Sequence, residues 1–183
     1  HGTLYVNWSD QRKGASDTDV WLAKSTDGGN TWSQPARVNN DAPGRHQFLT
    51  WMAVDQATGW LWFVFYDRRN YASASLNTDV FMAVSKDGGA TFHNFKISEK
   101  AFLPSDGQFF GDYTNLAAHN NIIRPIWTRM DNQKNSVWTA LVNPQQLVHQ
   151  QEPEQALDLG DSFPNPSNGE VWVPFKVRKP TSL

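Results

Sequence analysis

The sequence predicts an all-β chain built from repeated four-stranded antiparallel units, and three observations carry that expectation. Aromatic residues make up 13% of the 183 residues, with Trp 9 and Phe 11. They stand among Gly, Asn, Asp and Thr, a mixture that favours strands and tight turns. The acidic residues are 14 Asp against 4 Glu, and Glu99 is the one glutamate before residue 150; Asp belongs to turns where Glu belongs to helices. The third observation is a repeat. Ser25-Thr26-Asp27-Gly28-Gly29-Asn30-Thr31-Trp32 returns sixty residues later as Ser85-Lys86-Asp87-Gly88-Gly89-Ala90-Thr91-Phe92, and a fixed spacing of this kind marks a repeat architecture.

Taken in order, the first strand is Leu4-Tyr5-Val6-Asn7-Trp8, ending in Ser9-Asp10-Gln11-Arg12, and it is echoed from Leu61 to Phe65-Tyr66-Asp67-Arg68-Arg69. The second, Asp19-Val20-Trp21-Leu22-Ala23, is echoed by Asp79-Val80-Phe81-Met82-Ala83. One complete unit then reads as strands 48–54, 61–66, 79–84 and 91–97, with Gly59 in its first turn and Asp87-Gly88-Gly89 in its third. A weaker third copy runs from Trp127-Thr128-Arg129-Met130-Asp131 to Val137-Trp138-Thr139-Ala140, and His46-Gln47-Phe48 is echoed by Gln108-Phe109. Four short strands per period of about 60 residues are the signature of a propeller blade. The tryptophans Trp21, Trp51, Trp62 and Trp138 are expected in the core between blades.

The expected organisation is a partial β-propeller over 1–142, a Gln/Glu-rich linker over 143–160, and the start of a further domain over 161–183, where residues 170–177 read as one strand. The first residue is His, and the expectation is a chain that begins inside a longer protein. The composition also excludes. A net charge of −2 leaves no electrostatic footprint for nucleic acid or an anionic membrane. With no cysteine there are no disulfides, thiolate metal sites or cysteine nucleophiles. The apolar run Trp60 to Tyr66 is far short of the roughly 18 residues of a membrane span. The histidines are scattered and no EF-hand loop is present, so neither a metal nor another cofactor is expected.

The eight-residue repeat resembles the Asp-box, or BNR repeat, of pattern Ser/Thr-x-Asp-x-Gly-x-Thr-Trp/Phe, matched here at Ser25, Asp27, Gly29, Thr31 and Trp32 and again at Ser85, Asp87, Gly89, Thr91 and Phe92. The chain is similar in this respect to sialidase-like β-propellers, over about residues 2–142. The box itself suits a hairpin: Asp accepts backbone N–H groups, Gly takes the positive φ, and the aromatic packs beneath. The resemblance implies a six-bladed ring, of which this chain would carry one complete blade, part of the preceding one and three strands of the next. Pro164-Asn165-Pro166-Ser167-Asn168-Gly169, followed by a strand, resembles the opening of a β-sandwich C-terminal sorting domain. That implies the type IX secretion machinery as a partner and a secreted or cell-surface location.

In an up-and-down blade the Asp-boxes lie at one end, and the opposite end gathers the longer loops at about 10–18, 38–47, 67–78, 98–108 and 129–135. The resemblance places a glycan site there. Asp10 and Arg12, Asp67 and Arg69, and in reversed order Arg129 and Asp131, stand two apart and point to one side of a strand. Two readings stay open for them: an ion pair, which tolerates the reversal, or an arginine fork for a sugar carboxylate. Sialidases use a tyrosine nucleophile, and the resemblance implies Tyr113, with Asp112 and Arg69 beside it, as the catalytic set. Arg12, Arg68, Arg129, His46 and Gln47 are the implied substrate contacts. The other reading of Gly111-Asp112-Tyr113 is a capped turn with a packed ring. The family's Arg-Ile-Pro signature is absent, and Glu99 is the single glutamate available to pair with a tyrosine before residue 150. Two functions follow: an exported carbohydrate-active protein resembling exo-α-sialidases, or a non-catalytic surface propeller that binds glycan, glycoprotein or protein.

Overall fold

A computed structural model describes residues 2–104, 110, 113–144, 147, 157–159 and 175–177. These residues form antiparallel β-sheets and no helix. The chain divides into two compact units, His1–Val142 and Asn143–Leu183.

The first unit holds three sheets, each with its strands in chain order. The first contains β1 (Leu4–Asp10), β2 (Asp19–Ser25) and β3 (Ala36–Arg37). The second contains β4 (Gln47–Val54), β5 (Leu61–Asp67), β6 (Asp79–Ser85) and β7 (His93–Lys96). The third contains β8 (Asn115–His119), β9 (Ile122–Asp131) and β10 (Lys134–Thr139). In the second unit, β11 (Leu157–Leu159) pairs antiparallel with β12 (Phe175–Val177), so a strand lies inside the stretch read as a linker. The Pro164-Asn165-Pro166 segment lies outside the described residues.

Sequence explains the strands. Every residue of β5, Leu-Trp-Phe-Val-Phe-Tyr-Asp, is buried, and so is every residue of β6. A continuous run of aromatic and β-branched side chains is what a strand covered on both faces requires. Between the first two sheets Val20, Leu22 and Val38 meet Leu61, Phe63, Phe65, Phe81 and Ala83, with Phe92 packed against the cluster. Phe92 also meets Phe63 edge to face at 5.8 Å. Trp32, its counterpart in the first repeat, takes no part in that cluster and is 46% exposed, against the expectation that both aromatics pack beneath their turns.

The two repeat turns share one hydrogen-bond scheme. Ser25 Oγ donates to Asp27 Oδ1 at 2.7 Å, and Thr31 presents its N–H to Oδ1 and its hydroxyl to Oδ2 at 2.9 and 2.6 Å. Ser85, Asp87 and Thr91 repeat this. The Thr31 hydroxyl and N–H hold the Asp27 carboxyl down to about 2, and those of Thr91 depress Asp87 further. Gly89, with φ +86°, is confined from outside as well: a Cβ there would stand 2.6 Å from Leu22 Cδ2 of the neighbouring sheet.

Two expectations change. The segment 129–135 is a two-residue hairpin rather than a longer loop, because Asn132 and Gln133 take φ of 50° and 62° and the pairing resumes at Lys134 opposite Asp131. The innermost described strand of the third sheet starts at Asn115 opposite Ile126, and the echo of 47–48 at 108–109 lies outside the described residues. Trp21 and Trp62 are buried and Trp138 is half-buried, whereas Trp51 is 42% exposed. A register shift lies between Phe48 and Trp51, with Leu49 at φ 51°. One inserted residue reverses the in-out alternation, which turns Trp51 outward.

Candidate functional site

Strand direction gathers Asp10, Asp19, Gln47, Asp67 and Asp79 at one end of the sheets, since Asp10 pairs with Asp19, and Asp67 with both Gln47 and Asp79. The loops between them interlock there. Gln47 N donates to Thr18 O at 2.7 Å, Arg68 N to His46 O at 3.1 Å, and Arg45 Nε to Tyr71 O at 2.7 Å. The repeat turns close the opposite end of the first two sheets, after Ser25 and Ser85.

Gln47 is fully buried at the loop end. Its Nε2 donates to Asp41 Oδ2 and Asp67 Oδ1 at 3.0 and 3.2 Å, while its Oε1 accepts from Asn39 Nδ2 at 2.8 Å. Asn39 Nδ2 also faces Asp19 Oδ1 at 2.6 Å. Two amides therefore sew the first sheet to the second through three carboxylates, which Lys13, Arg37 and Arg69 balance in charge. Burial raises the Asp67 carboxyl above its ordinary value, and Arg69 opposes that.

The three Asp/Arg couples are all made. Arg12 binds Asp10 in a fork, Nη2 to Oδ2 at 2.6 Å and Nε to Oδ1 at 2.9 Å, and holds the Asp10 carboxyl at about 2. Arg69 reaches Asp67 at 2.8 Å and also Asn40 and Asn94 at 2.7 and 3.0 Å. Arg129 binds Asp131 at 2.6 Å and lowers its carboxyl. Each guanidinium also covers an aromatic ring of the next strand: Arg12 over Trp21 and Arg69 over Phe81 at 4.3 Å, and Arg129 over Trp138 at 4.7 Å. The charge and one face of each guanidinium are thus taken up within the fold. The stacking partners follow the repeat, since Trp21 and Phe81 are matched positions.

The remaining predicted residues separate. Arg68 lies over Phe48 at 5.0 Å and donates to Thr78 Oγ1 at 3.3 Å. His46 Nδ1 and Thr18 Oγ1 share a hydrogen bond at 2.8 Å, and burial and the nearby Arg68 lower the His46 pKa. Asp112 lies outside the described residues. Tyr113 is 79% exposed and stands at a pocket of about 360 Å³ with Trp51, Ile126, Trp127 and Val137. Thr114, Asn115 and Thr128 supply the polar part of its wall. The bulge that exposes Trp51 has no signal in the repeat, which is why sequence assigned this ring to the core. Among the described residues no group of three or more His, Cys, Asp or Glu could hold a metal ion.

No family model and no curated protein sequence matches the chain. Among solved structures it is similar to the Hadza microbial sialidase Hz136, at 13% identity and a TM-score of 0.53, over 75% of this chain and 32% of that one. It is also similar to Zg3597, a family 117 glycoside hydrolase from the marine bacterium Zobellia galactanivorans, at 11% identity and a TM-score of 0.47, over 77% and 48%. The chain spans about a third of the length of the first and half of the second. The likeness to the first is one of fold: an all-β, sialidase-like arrangement of antiparallel sheets.

Proposed function

We propose that the three sheets are blades of a sialidase-like β-propeller, that the two repeat turns are its Asp-boxes, and that the protein is exported and engages glycans at the loop end. Meander order within each sheet supports the blade reading, as do the identical Asp-centred turns of the first two. The observation that carries the functional reading is the pocket: Tyr113, just before β8, and Trp51, opposite Val64 within β4, present exposed rings. Exposed aromatic rings beside hydroxyl and amide groups are the chemistry that holds a sugar, whose C–H face is apolar and whose edge is polar.

Glycan binding is the reading these residues favour. A sialidase needs arginines free to grip a carboxylate, and Arg12, Arg69 and Arg129 are each bound to an aspartate and stacked on a ring. One observation favours hydrolysis: Tyr113 is exposed rather than packed, as a nucleophile has to be. The sorting-domain resemblance of residues 161–183 supports a secreted or cell-surface protein handled by the type IX secretion machinery.

The test is a glycan array together with a fluorogenic sialoside assay on the full-length protein and its Tyr113→Phe variant. Retention on glycans without sialic acid release is expected. Release that disappears in Tyr113→Phe would establish hydrolysis instead, and no retention on any glycan would overturn the glycan reading altogether.

A further inference from the structure

We infer that the loop interlock around His46 is proton-sensitive: a second proton on the imidazole loosens the contacts that tie the loops 10–18, 38–47 and 67–78 to one another. This end of the fold is then tight at neutral pH and opens in mild acid. The inference is independent of what the loop end binds.

His46 joins three segments. Its carbonyl accepts the N–H of Arg68 at 3.1 Å, and its Nδ1 shares a hydrogen bond with Thr18 Oγ1 at 2.8 Å. The next residue, Gln47, donates its N–H to Thr18 O at 2.7 Å, and Gly44 gives its N–H to Oδ1 of the buried Asp17 at 2.8 Å. The His46 ring itself is half-buried. Side chains two apart along an extended chain point to one side, so His46 and Phe48 share a face. The Arg68 guanidinium lies over Phe48 at 5.0 Å, and its Nε donates to Thr78 Oγ1 at 3.3 Å. A fixed positive charge therefore stands beside the imidazole.

Charge sets the direction. Among the described residues the charged groups facing the ring are Arg68 from the loop 67–78 and Asp17 from the loop 10–18. Arg45, in the ring's own loop, is turned to the carbonyls of Tyr71 and Gly44. Burial and Arg68 disfavour the imidazolium and outweigh Asp17, so the ring's pKa is lowered from its ordinary 6.5. The hydrogen bond acts the same way. A doubly protonated ring can only donate, and Thr18 Oγ1 already accepts from Gln11 Nε2 at 3.2 Å. Once the loops part, the ring regains water and its ordinary affinity for a proton. The open form thus binds more protons than the closed one. The interlock is complete above about pH 6.5 and weakens as pH falls below it. Uptake of one proton limits the effect to about a tenfold rise in opening per pH unit.

The experiment is hydrogen exchange of the full-length protein from pH 7.5 to pH 5.5, corrected for the intrinsic pH dependence of exchange, together with an NMR titration of the His46 ring. Wild type is compared with His46→Gln, which cannot titrate, and with Arg68→Gln, which places at position 68 the residue that the first repeat carries at Gln11. Circular dichroism at pH 7.5 first shows that each variant is folded. In wild type, exchange over 38–48 and 66–78 is expected to accelerate below pH 6.5 relative to the buried β6, by up to about tenfold per pH unit. This acceleration should vanish in His46→Gln. The ring should titrate below 6.5, and higher in Arg68→Gln than in wild type. Loops whose exchange does not change with pH overturn the inference, as does a ring that titrates at or above 6.5 or is unmoved by Arg68→Gln. The same acid response in His46→Gln also overturns it, and assigns the response to another group such as Asp67, whose carboxyl burial raises. Should His46→Gln fail to fold, the wild-type ring titration and loop exchange decide.

Discussion

Replacing Asp55 by Asn isolates the contact that fastens the third sheet to the second. Asp55 closes the turn after β4 and is fully buried. Its Oδ1 accepts the N–H of Ala57 and of Asn120, and its Oδ2 that of Asn121, each at 2.9 Å. Two of these donors belong to the turn between β8 and β9, so one carboxylate bridges two sheets. Burial pushes the carboxyl upward, yet the N–H groups of Asn121, Asn120 and Ala57 outweigh it and bring the pKa from 3.8 to about 2. A shift of nearly two units at 1.36 kcal/mol each gives about 2 kcal/mol. The amide of Asn must turn an NH2 towards at least one backbone donor, and losing one charge-assisted bond costs about 1.5–3 kcal/mol, the same range. For a unit of this size that lowers Tm by about 6 °C. The folded pKa lies below the unfolded one, so this stabilisation is complete well above pH 4 and is lost as pH falls through about 2. Thermal melts of both proteins from pH 7 to pH 2 should show a gap that narrows in acid. An unchanged Tm at pH 7, or a gap that stays constant down to pH 2, would refute the reasoning.

Urea unfolding separates the ion pairs by burial. Arg69→Ala strands the fully buried Asp67 and should cost about 3–5 kcal/mol, whereas Arg12→Ala removes a solvent-screened pair and should leave the midpoint almost in place. The same measurement distinguishes the repeat glycines. Gly28→Ala meets open space and carries only the cost of its positive φ, about 1–2 kcal/mol. Gly89→Ala adds a clash with Leu22 and should lose about 2–4 kcal/mol; equal losses at the two sites would count against the packing of this turn on the first sheet.

Much of the fold was legible because each repeat states its structure twice. Asp and Thr in the eight-residue turn make the hydrogen bonds that their spacing implies, in both copies. The runs at β5 and β6 were legible as strands, but their burial on both faces shows only in the structure. The arginine couples were legible as pairs, but not the rings that cover them, because those rings belong to another strand. Least legible was the pocket. It depends on an extra residue between Phe48 and Trp51, which spacing along one strand cannot reveal because it shows only against the partner strand.

That difference bears on where recognition can reside. A charge satisfied inside every repeat is a device of the fold, and Asp10/Arg12, Asp67/Arg69 and Arg129/Asp131 recur at the same strand end with the third order reversed. Reversal keeps the bond between the partners but moves the guanidinium by two residues along the strand, which a carboxylate ligand would not tolerate. Tyr113 and Trp51 form no such series. Their rings are exposed, one before a short inner strand and the other beside a bulge. The features that the repeat preserves are thus accounted for by the fold itself, and the two rings that depart from it are not.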